Sequence, residues 1–364
     1  MVHIEVVRSC NSTLVKKQPL VAVFVGGTAG IGESSVRALA ATHSVQGKGL
    51  RLYIVGRNAD AAEKIISDCV RICPVGQFRF VPAEDLALLK DVDRVCAEIV
   101  RAEENENKYG ETARLDILVM SQGYISFEPR RETKEGLDTL LSLRYYSRMR
   151  FIINLLPLLL ASPLPAHVVS VFAAGREGKF YPEDLSLRDP EHYGVFINIS
   201  HVAYMTTFFV ETLATRHPGQ LSLVHVYPGL VMTNEFQTGR FPLWFKMMWR
   251  WLVAPIVWPF SVPLRECGER ILFLATPRFP AWQTTEVGII AQEDDSASVE
   301  GNVAIAIGSD GNYGSGAYAV NWNGETIPTE KAYKRFREDG LAERVWDHTM
   351  KAFEDIEAGN VFTG

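Results

Sequence analysis

The sequence predicts an α/β protein: a doubly wound parallel sheet with helices on both faces, followed by a C-terminal aromatic lid, a hairpin and an amphipathic helix. Two observations predict the sheet. Short apolar runs alternate with longer segments of helical periodicity from residue 20 to residue 226. The first run, Leu20 to Val25, ends at glycines, and an Ala- and Ser-rich segment with helical spacing follows. Strand, glycine turn and helix therefore occur in the order that opens a parallel βαβ unit.

The alternation continues along the chain. Strands are predicted at residues 20–25, 52–55, 77–81, 115–120, 167–172 and 221–226. Helices are predicted at residues 33–42, 61–71, 90–104, 135–160 and 194–215. Because a helical segment separates each strand from the next, the strands are expected to pair in parallel, with helices covering both faces of the sheet.

The pattern changes after residue 234. The segment 241–260 is aromatic and apolar, but Lys246, Arg250 and three prolines interrupt it, which argues against a membrane span. We expect a helical lid packed over a pocket; the alternative is a face that touches a membrane surface. Alternating apolar residues at 303–307 and 317–322 predict a hairpin, and a charged amphipathic helix is expected at 330–357.

Three parts follow from these patterns. Residues 1–19 are expected to be a polar lead-in, residues 20–235 a dinucleotide-binding domain, and residues 236–364 an extension packed on the same domain. These patterns do not determine the oligomeric state, and a homo-oligomer is compatible with them.

Composition narrows the class of partner and the compartment. The net charge of −6 argues against a nucleic-acid partner, which usually requires a basic face. The five cysteines are an odd number, and their spacing is not that of a zinc site, so we expect free thiols in a reducing compartment. The N-terminus carries no long apolar run typical of a signal peptide, and a cytoplasmic location is therefore expected.

The glycine turn at residues 26–32 predicts where a cofactor diphosphate binds. Glycines allow the backbone to approach the diphosphate, and a helix N-terminus offers unpaired N–H groups at its positive end. Gly26, Gly30, Ile31 and Gly32 are the expected contacts of a Rossmann-type fold. After the second strand stands Arg57 rather than an acidic residue, which favours the 2′-phosphate of NADP over NAD; the alternative is a solvated arginine.

These motifs resemble the short-chain dehydrogenase/reductase family over about residues 20–235. The glycine turn is similar to the family's TGxxxGIG with Val25 in place of Thr, and the segment 227–233 (YPGLVMT) is similar to its segment beside the nicotinamide. The stretches 145–148 (YYSR) and 154–157 (NLLP) resemble fungal members of natural-product pathways. The resemblance implies an NADPH-dependent oxidoreductase. It also implies further cofactor contacts from Asp85, Leu86, Gln122, Pro228, Gly229, Val231 and Thr233.

The family's usual catalytic residues are a Tyr, a Lys four residues later, a Ser and an Asn. None of the twelve tyrosines here is followed by Lys at the fourth position. Alignment with the family places Ile199 at the Tyr position, Ala203 at the Lys position, Ala173 at the Ser position and Arg144 at the Asn position. Other polar residues in this region could contribute to catalysis, although each is also typical of an ordinary strand end, helix or loop. These candidates are Ser170, Ser200, Tyr193, Tyr124 and Arg144.

His201 and Tyr204 can also transfer or donate a proton. Helical geometry argues against both, because at about 100° per residue His201 lies opposite the face of Ile199 and Ala203, and Tyr204 lies about 120° from it. His201 is interpreted as a helix-packing or subunit-interface residue.

Three functions remain open from the sequence. The first is an NADP(H)-dependent oxidoreductase acting on a carbonyl or alcohol of a bulky apolar metabolite of polyketide or terpenoid type. The second is a cyclase, isomerase or dehydratase that uses the same pocket without redox chemistry. The third is a non-catalytic binding protein.

Overall fold

The computed structural model describes residues 1–44, 46–107, 112–124, 126–233, 243–282, 298–299 and 303–364. Nine strands lie in these ranges: β1 (Leu20–Val25), β2 (Leu50–Gly56), β3 (Gly76–Pro82), β4 (Ile117–Met120), β5 (Ala166–Val171), β6 (Leu221–Val226), β7 (Ser298–Val299), β8 (Val303–Ala304) and β9 (Ala317–Val320). The helices of the first 230 residues are α1 (Ile4–Lys17), α2 (Gly30–His43), α3 (Ala59–Ile72), α4 (Leu89–Asn107), α5 (Thr139–Leu141), α6 (Ser147–Leu160) and α7 (Val195–Arg216). The later helices are α8 (Leu243–Met248), α9 (Ala254–Val257), α10 (Leu264–Phe273), α11 (Glu330–Glu338) and α12 (Leu341–Glu357).

Seven strands form one parallel sheet in the order β3-β2-β1-β4-β5-β6-β9. The first strand lies near the centre, and the chain winds outward in both directions from it. This arrangement confirms the predicted doubly wound Rossmann-type fold. Val25 pairs with Val55 and Met120, and Met120 pairs with Ser170, so the carboxyl ends of these strands share one edge of the sheet.

Helices bury both faces of the sheet. Every residue of β1, β2, β4 and β6 is buried, as their nearly continuous apolar sequences require. One core cluster combines Val23 with Phe151 and Phe208, and a second combines Phe24 with Leu39 and other apolar residues. The sheet is thus a rigid base whose carboxyl edge carries the loops.

The N-terminal segment contains a helix that the sequence did not predict. In α1, Val7, Leu14 and Val15 are buried, and Asn11 donates a hydrogen bond to the Glu269 carbonyl of α10 at 2.8 Å. The expected polar lead-in therefore packs on the domain, because its apolar residues recur at helical spacing and cover one face.

The long helix expected at 135–160 begins later and is not uniform. Asp138 caps α5 by accepting the Leu141 N–H at 2.9 Å. A π-helical turn, Ser142–Tyr146, then joins α5 to α6. Such turns insert one extra residue into a helix and occur often at functional sites. This one contains Arg144.

Two C-terminal predictions differ from the structure. The residues expected as the second strand of a hairpin form β9, which extends the main sheet beside β6, whereas β8 pairs with β7 in a separate small sheet. All four residues of β9 are buried, so this strand needs cover on both faces. The helix expected at 330–357 is divided into α11 and α12 at Gly340, whose φ of +68° breaks the helical path.

The segment expected as a lid, 241–260, is helical from residue 243, and residues 241–242 lie outside the described ranges. It consists of α8, a π-helical turn (Trp249–Val253), α9 and a 3-10 turn (Trp258–Phe260). Its large apolar side chains are mostly exposed, Trp251 by 69% and Phe260 by 82%. Pro255 and Pro259 lie in the first turns of α9 and of the 3-10 turn, so the segment is divided into short helical pieces.

Three compositional expectations can also be compared with the structure. All five cysteines are free and buried. Among the described residues, no group of three His, Cys, Asp or Glu side chains could hold a metal ion. No helix in the described ranges has both the length and the apolar character needed to cross a bilayer.

Candidate functional site at the carboxyl edge of the sheet

The glycine turn after β1 is closed to side chains. Gly26 has a φ of +80°, and a Cβ atom added there would lie 2.9 Å from the Gln122 backbone nitrogen. A Cβ atom on Gly32 would lie 2.3 Å from the Gly26 carbonyl oxygen. Gly30, at a φ of +56°, is the first residue of α2. The turn therefore needs glycine for steric reasons and leaves the N-terminus of a fourteen-residue helix facing the carboxyl edge.

The predicted segment after β6 reaches the same turn. A Cβ atom on Gly30 would lie 3.3 Å from Thr233 Cγ2, so these two predicted cofactor contacts are neighbours. Val231 is buried and forms a bridge with Val262, and Gly229 has a φ of +78° against the Trp322 side chain. The structure thus brings the segment that contains Pro228 and Thr233 next to the N-terminus of α2.

The other predicted cofactor contacts lie along the same edge. Arg57 follows β2 directly and is exposed, and Ile31 is half-buried against the core. Asp85 is exposed and its Oδ1 accepts the Ala87 N–H at 3.0 Å, whereas Leu86 is buried. Gln122 is buried after β4, where its side-chain amide lies 3.4 Å from Ser147 Oγ.

A buried arginine that the sequence did not single out holds the ends of β4 and β5. Arg148 is 1% exposed. Its Nη2 donates to the Gln122 carbonyl at 2.6 Å, and its Nη1 donates to Ser170 Oγ at 2.9 Å and to the Val171 carbonyl at 2.8 Å. Within the described residues it forms no ion pair with a carboxylate, and its Nε has no hydrogen-bond partner. Its positive charge is therefore fixed in the interior by neutral acceptors.

Arg144, one helical turn earlier, is buried beside it. Its Nη1 donates to Asn198 Oδ1 at 2.6 Å, and its Nη2 donates to the Tyr124 carbonyl at 2.7 Å. The guanidinium carbons of Arg144 and Arg148 lie 5.3 and 5.6 Å from the centre of the Phe172 ring. Together the two arginines bind backbone carbonyls of the loop after β4, and both cations lie near the Phe172 ring.

Burial makes this region electrostatically unusual. Desolvation, followed by repulsion from Arg144, lowers the pKa of Arg148 to about 9. His225, on β6, accepts the Ala173 N–H at 3.2 Å; its burial, with a contribution from Arg148, lowers its pKa to about 3. At neutral pH the histidine is therefore uncharged and the arginine remains a cation.

Three of the proposed catalytic candidates are engaged in local structure. Ser170 Oγ accepts from Arg148, and Ser200 Oγ accepts the Gly178 N–H at 2.8 Å. Tyr193 donates to Asp138 at 3.1 Å, and burial, with the help of that carboxylate, raises the pKa of its phenol. Tyr124 uses its carbonyl rather than its side chain in the contact with Arg144. The structure therefore groups Ser170 and Tyr124 around the two buried arginines, Arg144 and Arg148.

The residues expected at the family's Tyr and Lys positions, Ile199 and Ala203, have aliphatic side chains. Ile199 is half-buried, and Ala203 is fully buried with its carbonyl accepting from Tyr333. His201 is fully buried; its Nε2 accepts the Tyr181 N–H at 3.0 Å, and burial lowers its pKa to about 3. Its contacts are those expected of a packing residue.

Tyr204 faces the C-terminal tail. Its ring centre lies 4.8 Å from that of Tyr333 and 5.3 Å from that of Phe336, both of α11. Burial raises the pKa of the Tyr204 phenol. The side chain is thus part of an aromatic cluster rather than of the carboxyl edge.

One sequence signal could have identified the buried pair. Arg144 and Arg148 are four residues apart, and the segment after Arg150 is largely apolar, so both arginines are expected near one helical face that packs on the core. A second contact had no such signal: the Arg176 guanidinium stacks 4.2 Å above the centre of the Tyr227 ring, although 51 residues separate the two in the chain.

No family model matches the chain. It is 36% identical over 362 residues to the short-chain dehydrogenase/reductase SAT2 of Stachybotrys chartarum, covering 99% of both chains. It is 39% identical over 350 residues to an oxidoreductase of Emericella nidulans, covering 96% of this chain and 97% of the other. Among solved structures, L-sorbose reductase from Gluconobacter frateurii, complexed with NADPH and L-sorbose, matches with a TM-score of 0.51 at 20% identity, over 74% of this chain and 94% of that one.

Proposed function

The chain belongs to the short-chain dehydrogenase/reductase family of oxidoreductases, and on that premise we propose that it uses NADP(H) to oxidise or reduce a bulky apolar metabolite. The reacting group would be a carbonyl or an alcohol. The single observation that carries the proposal is the steric closure of the glycine turn: Gly26 and Gly32 admit no side chain, and the first turn of α2 adjoins Thr233.

This geometry fits a dinucleotide diphosphate. Backbone N–H groups at the N-terminus of α2 would bind the phosphate oxygens, because the helix dipole and the unpaired donors both favour an anion there. Arg57, exposed after β2, would pair with a 2′-phosphate. L-sorbose reductase, which shares the fold, was crystallised with NADPH, and this agrees with the choice of cofactor.

The remaining cofactor contacts follow the carboxyl edge. Ile31 would pack against the cofactor beside the turn. Asp85 and Leu86 would contact the adenine, and Gln122, Pro228, Gly229, Val231 and Thr233 would line the nicotinamide side. The bound cofactor would supply or accept the hydride.

In the proposed reaction, this chain's buried arginines act as positioning residues. By binding the Gln122 and Tyr124 carbonyls, Arg148 and Arg144 hold the loop that would lie beside the nicotinamide of a bound cofactor. Their fixed charge also favours a developing substrate oxyanion in a region of low dielectric. With Ile199 and Ala203 in place of the usual proton donor and its partner, water or a substrate group would supply the proton.

The proposed substrate class rests on the relatives and on the chain's aromatic insert. The most similar proteins described above are fungal oxidoreductases that match this chain over nearly its full length. The exposed aromatic residues near the cleft suit a bulky apolar molecule of polyketide or terpenoid type.

A second candidate is a cyclase, isomerase or dehydratase without net redox chemistry. The observation that favours it is the replacement of the proton-transfer group by Ile199, Ala203 and Ala173. Shape and electrostatic complementarity can accelerate such reactions without a dedicated acid. A non-catalytic binder is the third outcome that the experiment must separate.

A single-turnover experiment distinguishes the three. Purified protein is mixed with NADPH and an apolar extract of cells that express it. The absorbance of the nicotinamide and the appearance of products are followed together. NADPH oxidation coupled to a new product supports the oxidoreductase. A new product with unchanged NADPH supports the non-redox catalyst. NADPH binding without any product contradicts both catalytic proposals.

A further inference from the structure

The insert between Val231 and Val262 exposes an unusual amount of apolar surface. Within residues 243–260, hereafter the apolar insert, eight large apolar side chains are more than 60% exposed. They are Leu243, Trp244, Met247, Trp251, Leu252, Ile256, Trp258 and Phe260. Scattered apolar residues are normal on a protein surface, but a contiguous group of this kind marks a binding surface.

The insert is anchored at the cofactor cleft. Its flanking residues Val231 and Val262 form a bridge, and the Val262 N–H donates to the Leu230 carbonyl at 2.9 Å. Leu230 and Val231 belong to the segment that passes the N-terminus of α2. The apolar surface is therefore held near the mouth of the proposed site.

The charges of the insert have one sign. Lys246 and Arg250 are its only ionisable side chains, and no Asp or Glu occurs from residue 243 to residue 265, although the whole chain carries a net charge of −6. The Arg250 guanidinium lies 5.6 Å from the centre of the Trp251 ring. Cations beside tryptophans, with aliphatic residues around them, are the composition of a surface that lies in the headgroup region of an anionic bilayer.

We propose that the apolar insert docks the protein onto the surface of an anionic phospholipid membrane. Its helices α8 and α9 have six and four residues, far too short to span a bilayer, so they lie in the interface. A second copy of the chain fits less well. A two-fold contact through the insert would bring Lys246 and Arg250 of both copies into one interface, and the insert contains no Asp or Glu to pair with these four cations.

This docking is independent of the proposed redox reaction. Because the insert is anchored beside the segment after β6, docking would bring that edge of the protein close to the lipid phase, where apolar molecules concentrate.

Co-sedimentation of the full-length protein with vesicles tests the proposal. Vesicles of phosphatidylcholine alone are compared with vesicles that also contain phosphatidylserine. The protein should partition preferentially onto the anionic vesicles, with a blue shift of its tryptophan fluorescence. The triple variant Trp251→Ser, Leu252→Ser, Ile256→Ser should bind at least about tenfold more weakly, because three apolar side chains no longer leave water.

A charge variant and an apolar control complete the design. Lys246→Glu with Arg250→Glu should weaken binding to anionic vesicles about tenfold or more, with a much smaller effect on neutral ones. Val75→Ser with Val361→Ser removes two side chains that are 59% and 58% exposed elsewhere, and should leave binding unchanged. Absence of vesicle binding by the parent protein overturns the proposal. The proposal is also overturned if the triple variant binds vesicles as well as the parent does. It is overturned as well if the only effect of the triple substitution is that sedimentation velocity shows a monomer where the parent is a dimer.

Discussion

The cofactor half of the molecule (residues 20–107) and the reaction half (residues 112–233) are built on different principles. In the cofactor half, the site is a backbone turn whose shape requires Gly26 and Gly32. In the reaction half, the corresponding edge is organised by buried side chains, chiefly Arg144 and Arg148. The fold can therefore retain dinucleotide binding while the chemistry beside it changes.

The largest predicted effect is the loss of NADPH affinity when a side chain is added in the glycine turn. In Gly26→Ala the new methyl group would lie 2.9 Å from the Gln122 nitrogen, so the turn must open and the phosphate cradle is lost. NADPH affinity, measured by calorimetry or fluorescence titration, should fall at least about 100-fold, which corresponds to about 3 kcal/mol.

Gly219→Ala is the matched control. Gly219 has a φ of +75°, almost that of Gly26, but a Cβ atom added there meets nothing within 4 Å. Both variants should lose about 1 kcal/mol of stability from the left-handed backbone, whereas only Gly26→Ala should lose NADPH. Equal NADPH affinity in the two variants would contradict the assignment of the turn.

The next predicted effect is a loss of stability and turnover when a buried arginine of the reaction half is replaced. Arg148→Met leaves the Gln122 and Val171 carbonyls without their donor, which should lower the free energy of unfolding by about 3 kcal/mol. If the guanidinium positions the loop and supplies charge at the reacting centre, turnover should also fall about tenfold or more, while NADPH affinity changes little.

Arg150→Met tests whether lost stability alone explains that result. Arg150 lies two residues later on α6, and its guanidinium pairs with Asp93 and Glu357 on α4 and α12, away from the carboxyl edge. This variant should also be destabilised but should keep its turnover. A similar loss of turnover in both variants would reduce Arg148 to a structural role.

A smaller effect is expected from the side chain proposed to select the cofactor. Arg57→Ala should lower the preference for NADPH over NADH about tenfold or more, because a charge-assisted contact to the 2′-phosphate is removed. Arg71→Ala, which removes an exposed arginine at the far end of α3, should leave the preference unchanged. An unaltered preference in Arg57→Ala would remove the argument for NADP.

Patterns repeated along the chain predicted most of the fold. Strand β1 and strand β6 were predicted with the bounds that the structure has, because Gly26 follows β1 directly and Pro228 follows β6 after one residue. The role of β9 was not predictable in this way. Four alternating residues fit a hairpin or an edge strand equally well, and only its tertiary burial decides between them.

In the candidate site, too, local features could be predicted from the sequence and long-range contacts could not. The glycine turn is a local feature, so its presence and position could be predicted from the sequence of residues 26–32. The contact of Arg148 with Ser170 joins residues that lie 22 positions apart, and that of Gln122 with Gly26 depends on the pairing of β1 with β4. Such juxtapositions are set by the register of the sheet rather than by spacing along the chain.

The last prediction concerns the pH dependence of stability, which arises outside the cofactor half. Burial lowers the pKa of His201 and His225 to about 3, and that of His167 and His348 to about 4. Because these folded-state values lie below the unfolded value of 6.5, the unfolded chain binds more protons between them. The contribution of these histidines to the free energy of unfolding is therefore fully present above about pH 6.5. It is lost as the pH falls toward their pKa values in the folded protein.

His201→Gln isolates one of these groups, since an amide oxygen can still accept the Tyr181 N–H. The parent should lose about 2 kcal/mol more than this variant between about pH 7 and about pH 5, as measured by urea unfolding. His3→Gln removes an exposed histidine and should show the parent's pH dependence. If His201→Gln also follows the parent curve, His201 is not a buried neutral histidine. If hydrogen exchange shows the cofactor half opening first in acid, the difference between the halves does not extend to their stability.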